Sequence, residues 1–126
     1  MSGFSFDSNI IIDALAGYPQ AAVEIRRAFD GGTRGWVSRM VWVEVLSKGS
    51  EATLKSAEAL LSGFGVDELD AEIAARAAAL RRERARLKAT DAVILASALA
   101  KGRMLVTRNT KDFPPGMPGV RIPYTL

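Results

Sequence analysis

Ala92-Val93-Ile94-Leu95-Ala96-Ser97-Ala98-Leu99-Ala100, followed after Lys101-Gly102 by Arg103-Met104-Leu105-Val106-Thr107, decides the fold. The first segment carries no charge and is apolar all round, which marks a helix buried on most sides. The second is short, apolar and bounded by a glycine turn, the pattern of a buried strand. A buried helix feeding a buried strand is one step of a parallel sheet covered on both faces.

The same alternation extends outward in both directions. Phe4-Ser5-Phe6 predicts a first strand that stops at Asp7-Ser8-Asn9, and Ile10 to Leu15 a short helix ended by Gly17 and Pro19. Gln20 to Phe29 has helical spacing, and Asp30-Gly31-Gly32 closes it before a second strand at Arg34 to Ser38. Helices are expected over Met40 to Leu46, Ala52 to Phe64 and Asp70 to about Arg86, with a short strand or loop at Gly65 to Glu68. Val120 to Ile122 is expected as a final short strand. No linker or repeat interrupts this order, so residues 1–126 form a single domain of α/β class. The expected architecture is a three-layer α/β/α sandwich with a central parallel sheet and right-handed crossovers. In such sheets a ligand sits beyond the carboxyl ends of the strands, which brings Asp7 and the segment Thr107 to Asp112 near one another.

Composition narrows the chemistry. The chain contains no cysteine and no histidine. Disulfides, thiol nucleophiles, iron–sulfur clusters, Ser-His-Asp triads, paired-histidine ribonuclease chemistry and His-ligated zinc are therefore excluded within it. The net charge of +3 conceals an asymmetry: residues 1–80 carry a net −4 and residues 81–126 a net +7. Arg81, Arg82, Arg84, Arg86, Lys88, Lys101, Arg103, Arg108 and Lys111 hold most of the basic excess, which suits either phosphate attraction or a solvated helix face. No apolar run approaches the roughly 20 residues of a membrane span. The N-terminus lacks a basic segment followed by an uncharged apolar one, so a cytoplasmic protein is expected.

Four acids stand in unusual places. Glu44 interrupts the apolar run Val41 to Leu46, Asp91 precedes the apolar helix, Asp7 ends an apolar strand, and Asp112 precedes Phe113-Pro114-Pro115. Lys48, four residues after Glu44, is the one basic residue set at helical spacing from the first three on an expected helix face. Each acid has a structural alternative: an Asx turn at Asp7, a helix N-terminus at Asp91, an ion pair at Glu44 and a loop at Asp112. A carboxylate removed from water unpaired costs several kcal/mol, whereas a cluster of them is stable around a divalent cation. Hard oxygen ligands suit Mg²⁺ or Mn²⁺, and with histidine absent a metal-activated water is the most credible nucleophile.

The segments Phe6 to Asp13, Ser38 to Leu46, Thr90 to Ala98 and Leu105 to Phe113 together resemble the PIN domains, and among them the VapC-type toxins of toxin–antitoxin systems. The likeness runs through nearly the whole chain in the family's order. It implies a metal-dependent endoribonuclease that hydrolyses RNA phosphodiester bonds, with Asp7, Glu44, Asp91 and Asp112 as the acidic positions. Asp7 and Asp91 would be the main metal ligands, Glu44 a ligand directly or through water, and Asp112 a ligand for a second ion or for water around it. Asn9, Thr107 and Asn109 match supporting polar positions, Ser8 stands where threonine is commoner, and Asp13 is read as structural. The resemblance also implies a cognate VapB-type antitoxin and a homodimer or a heteromeric complex with that antitoxin.

For a ribonuclease, Arg81, Arg82, Arg86, Arg108 and Lys111 are candidates for RNA phosphate contact. Trp36, Met40, Trp42 and Phe64 are expected mainly in the core, with partner surfaces as the alternative role. A phospho-accepting receiver domain would need paired acids after the first strand, and only Asp7 stands there. A PIN-like binding module without catalysis is the remaining alternative, although all four acids are retained.

Overall fold

A computed structural model describes residues 3–126. Its strands are β1 (Phe4–Phe6), β2 (Trp36–Ser38), β3 (Gly65–Asp67), β4 (Met104–Val106) and β5 (Val120–Arg121). The helices are α1 (Ser8–Leu15), α2 (Pro19–Phe29), α3 (Arg39–Lys48), α4 (Glu51–Leu61), α5 (Ala71–Glu83) and α6 (Ala89–Ala100). The five strands form one sheet in the order β3-β2-β1-β4-β5, with every neighbouring pair parallel.

That order fixes the layers. From β1 to β2 to β3 the chain steps one way across the sheet, and from β3 it returns past β1 to β4. Right-handed crossovers then put α1–α4 on one face and α5–α6 on the other. The packing agrees: α1 touches α2, α3 and α4, whereas α5 packs on α6, which lies on β2 and β4. The reversal of direction falls between β1 and β4, which pair from Phe4 with Met104 to Phe6 with Val106. A crevice opens at such a reversal beyond the strand ends.

The core contains Phe6, Ile10, Ile11, Val37, Val41, Leu61, Ile94, Leu95, Leu105, Val106 and Phe113, all buried. Phe64 stands edge-on to Phe6 and Phe29, with ring centroids 5.6 and 5.4 Å away. Met40 and Trp42 are partly buried against this core, in keeping with the expected core role, whereas Trp36 is half-buried on β2 beneath the Arg103 guanidinium. Ala92 to Ala98 are all buried, as most of a run without charge should be, and Asp91 just ahead of them is buried too.

Several boundaries move from their expected positions. The helix expected to end at Phe64 ends at Leu61, because Ser62 and Gly63 turn back to bond Glu58 and Leu60. The helix expected to reach Arg86 ends at Glu83, because Arg84 leaves helical geometry and Leu87 N–H returns to its carbonyl. Conversely α6 starts at Ala89, three residues before the expected Ala92, since Ala92 N–H already bonds the Lys88 carbonyl. The helix closes on Gly102, whose φ of +65° is the left-handed geometry that glycine adopts without cost.

Candidate functional site

Asp7 is the residue that β1 delivers to the crevice. Its backbone N–H completes the sheet by bonding the Val106 carbonyl at 2.9 Å. Its side chain serves as N-cap of α1, accepting from Ser8 N–H at 2.7 Å through Oδ1. The other oxygen, Oδ2, accepts from Thr107 Oγ1 at 2.8 Å and Asn9 Nδ2 at 3.3 Å. Thus the Asx-type role is present, but it occupies only one of the two oxygens. Burial pushes the Asp7 carboxyl up, aided by the charge of Glu44 and opposed by hydrogen bonds from Thr107 and Ser8.

The other acids converge on Asp7 from three elements. Glu44, on α3, accepts from Ser8 Oγ at 2.8 Å through Oε1, so Ser8 links two of the acids. Glu44 has no ion pair with Lys48 among the described residues; the serine hydroxyl is its partner. Asp91 lies buried in the first turn of α6. Burial, then the charges of Asp7, Asp112 and Glu44, push its carboxyl up to about 6, with Lys88 acting in the opposite direction. Lys88 was a neighbour hidden by the later helix start expected from sequence. Asp112 is held in the loop after β4, where Asn109 Nδ2 donates to its Oδ2 at 2.8 Å and its own N–H bonds Asn109 Oδ1 at 3.2 Å.

A second network fixes the loop that carries Thr107. Asn9 donates to Thr107 Oγ1 at 3.0 Å and accepts from Arg108 N–H at 3.2 Å, while Asn109 N–H reaches the same threonine oxygen at 3.1 Å. One turn later on α1, buried Asp13 takes Arg108 Nε at 2.5 Å, Arg108 Nη2 at 2.9 Å and the Tyr124 hydroxyl at 2.8 Å. Burial opposes ionisation of Asp13, but these donors and the arginine charge outweigh it and hold the carboxyl below its usual range. Asp13 is therefore structural, as expected.

The expected phosphate contacts divide. Arg86 and Lys111 line an open cleft of about 840 Å³ beside Asp112, together with Arg84 and Lys88. Arg108 is not the free cation expected from sequence: its Nε and Nη2 donate to Asp13, and through that pair it braces the loop. Arg81 donates through Nε to the Leu87 carbonyl at 3.0 Å, and exposed Arg82 lies outside the cleft lining. Arg103, counted in the basic excess, is buried against Asp67 at 2.5 Å and stacks over Trp36 at 3.9 Å. Arg84 belongs to the basic excess but not to the phosphate contacts expected from sequence, and its Nη2 donates to the Asp112 carbonyl. Its target is a backbone atom, which leaves no mark in the sequence.

The donor set suits a hard divalent cation: four carboxylates, no nitrogen or sulfur donors, and a mutual repulsion that a cation would relieve. Among the described residues, no group of three such side chains stands close enough together to hold a metal ion as placed. An ion here would have at most two direct carboxylate ligands in this arrangement, a number with which Mg²⁺ is bound elsewhere when waters complete its shell.

Comparison with known proteins bears on this arrangement. A family model for the PIN domain matches residues 5–114. A toxin–antitoxin complex from Klebsiella pneumoniae contains a chain with 36% identity and a TM-score of 0.81, covering 97% of this chain and 98% of that one. VapBC2 from Rickettsia felis, bound to a DNA fragment from their promoter, contains a chain with 20% identity and a TM-score of 0.75, covering 93% and 94%. FitAcB from Neisseria gonorrhoeae gives 19% identity, a TM-score of 0.75 and coverage of 98% and 99%. The last two show likeness of fold alone. No curated protein sequence matches the chain.

Proposed function

This chain belongs to the PIN domain family, and from that premise we propose that it is the toxin of a VapBC-type toxin–antitoxin module, a Mg²⁺- or Mn²⁺-dependent endoribonuclease. The observation that carries the reading is the convergence of Asp7, Glu44, Asp91 and Asp112 at the point where the sheet reverses direction. Such a concentration of negative charge opposes folding unless it serves a cation.

Asp7 and Asp91 would hold the ion, Glu44 would bind it directly or through water, and Asp112 would hold a second ion or water around it. A bound divalent ion supplies Lewis-acid stabilisation of the charge that develops on a phosphodiester under attack by water. The protein's own part is positioning. Thr107 and Ser8 fix the two oxygens of Asp7, and Ser8 also ties Glu44 to them. Asn109 orients Asp112, and Asn9 locks the loop after β4 to α1. An RNA strand with unstacked bases is the substrate that a shallow acidic site flanked by cations suits.

The reading includes a VapB-type antitoxin as partner, a homodimeric toxin or a heteromeric complex with the antitoxin, and a cytoplasmic location. No helix among the described residues is long and apolar enough to cross a membrane. Cleavage of a mixed RNA pool by purified, antitoxin-free protein tests the activity, with Mg²⁺ or Mn²⁺ against EDTA and with Asp7→Asn as control. Metal-dependent cutting that the variant loses is expected. Cutting that survives in EDTA or in Asp7→Asn would overturn the assignment.

A further inference from the structure

The connector between α5 and α6 and the loop after β4 face each other across the cleft beside Asp112. Four cations stand there: Arg84, Arg86, Lys88 and Lys111. None of them forms an ion pair among the described residues. Arg86, Lys88 and Lys111 are exposed, as phosphate contacts need to be. Arg84 differs because it is held in place: Nη2 donates to the Asp112 carbonyl, while Nη1 is buried with no hydrogen-bond partner. A buried donor left unpaired costs about 1–3 kcal/mol, so the guanidinium is kept at this wall against a penalty, with its charge matched by no carboxylate among the described residues. Independently, α6 begins at this wall with Lys88 as its N-cap, and no side chain caps it. A helix N-terminus of this kind favours phosphate.

Building on the reading above as a ribonuclease, we propose that this cleft seats a backbone phosphate adjacent to the one being cut, with Arg84 as its anchor. The location gives the reason for choosing phosphate over a carboxylate ligand. Lys88 acts electrostatically on Asp91, and Asp112 lines the cleft itself, so the cations and the acids are parts of one continuous surface. A strand whose reacting phosphate lies at the acids leads its next phosphate into the cations. Arg84 thereby does two things: it steadies the Asp112 segment through the backbone and supplies fixed positive charge beside it.

The test measures binding without cleavage. Anisotropy of a short fluorescein-labelled single-stranded RNA is followed in EDTA over a series of salt concentrations, with wild type, Arg84→Gln and Lys111→Ala. Arg84→Gln is expected to weaken binding roughly tenfold, as loss of a charge-assisted hydrogen bond does. Each variant should flatten the slope of log affinity against log salt by about 0.7, the value for one charge on a single strand. Lys111 is exposed, so its variant keeps the experiment decisive should Arg84→Gln fail to fold. Unchanged affinity and slope in the folded variants would overturn the proposal, even if the wild type cuts RNA with metal. If the wild type cuts nothing but binds RNA with the expected dependence, the cleft assignment stands and the nuclease reading falls. An acidic peptide of equal charge that binds as tightly and depends equally on Arg84 would overturn the assignment to phosphate.

Discussion

Burial and the neighbouring acids push the Asp91 carboxyl up to about 6, and burial pushes Asp7 in the same direction. Unfolded, Asp91 ionises near 3.8, so between those values the folded chain holds a proton that the unfolded chain has lost. Stability therefore falls as pH rises through that window and stays reduced above it. In EDTA, lowering the pH from about 7 to about 5 is expected to raise the melting temperature of the wild type by a few degrees. Asp91→Asn should lack that component, and a scan of melting temperature against pH for both proteins checks it. Asp13 has a lowered pKa, so its contribution is lost only below the ordinary carboxylate range, outside the window. Thr107 is wholly buried and donates to Asp7 while accepting from Asn9 and Asn109. Thr107→Val keeps the shape and removes the hydroxyl, so a loss of about 1–3 kcal/mol in urea denaturation is expected. It should also weaken metal binding about 10–100-fold by calorimetry, as losses of ligand support do. Asp7 and Asp91 stood out because a charge beside Ile10-Ile11-Ile12 or in front of the Ala92 run is uncommon, although each also stands at the start of a helix, where an acid has a capping use. The fate of Arg108 was not legible, because its charge says nothing of the partner that Asp13 provides one turn along α1.

Elements were legible where their hydrophobic period was long. The buried run in α6 and the apolar strand after it read correctly from composition alone. The start of α6 did not, because it is set by the extended backbone of Lys88 and has no side-chain cap. Strand β3 was ambiguous for a different reason: Gly65-Val66-Asp67 has little apolar pattern of its own. Its place is fixed by pairing with β2 and by the buried Asp67–Arg103 ion pair. Gly65 helps in a way only glycine can, since a Cβ there would stand 2.5 Å from the Trp36 ring. The ion pair sets an expectation for this edge of the sheet. Arg103→Met leaves Asp67 buried and unpaired, and should cost about 3–5 kcal/mol in urea denaturation. Adding Asp67→Leu removes the stranded charge and should restore much of that loss.

At the scale of the molecule, the reversal between β1 and β4 organises everything else. It brings together acids from β1, α3, α6 and the loop after β4, which no local stretch of sequence contains. If the cluster awaits a cation, binding must stabilise the whole fold by mass action. Mn²⁺ at about a hundred times its dissociation constant should add about 2.7 kcal/mol to wild-type stability. The Asp7→Asn, Asp91→Asn double variant should gain almost none, which melting curves with and without Mn²⁺ will show. The alternation of apolar segments made the parallel sheet and its crevice readable. Only the folded chain shows that Ser8 bridges Asp7 and Glu44, because the 36 residues that separate Ser8 from Glu44 are closed by tertiary packing. The pairing of β1 with β4 joins Phe4 to Met104, 100 residues further along the chain. Until that one long-range contact closes, Asp7 and Asp112 belong to separate pieces of polypeptide and the crevice does not exist. The site is therefore all-or-none: it appears and vanishes with the fold itself, and no fragment carrying only one of the two strands can hold it.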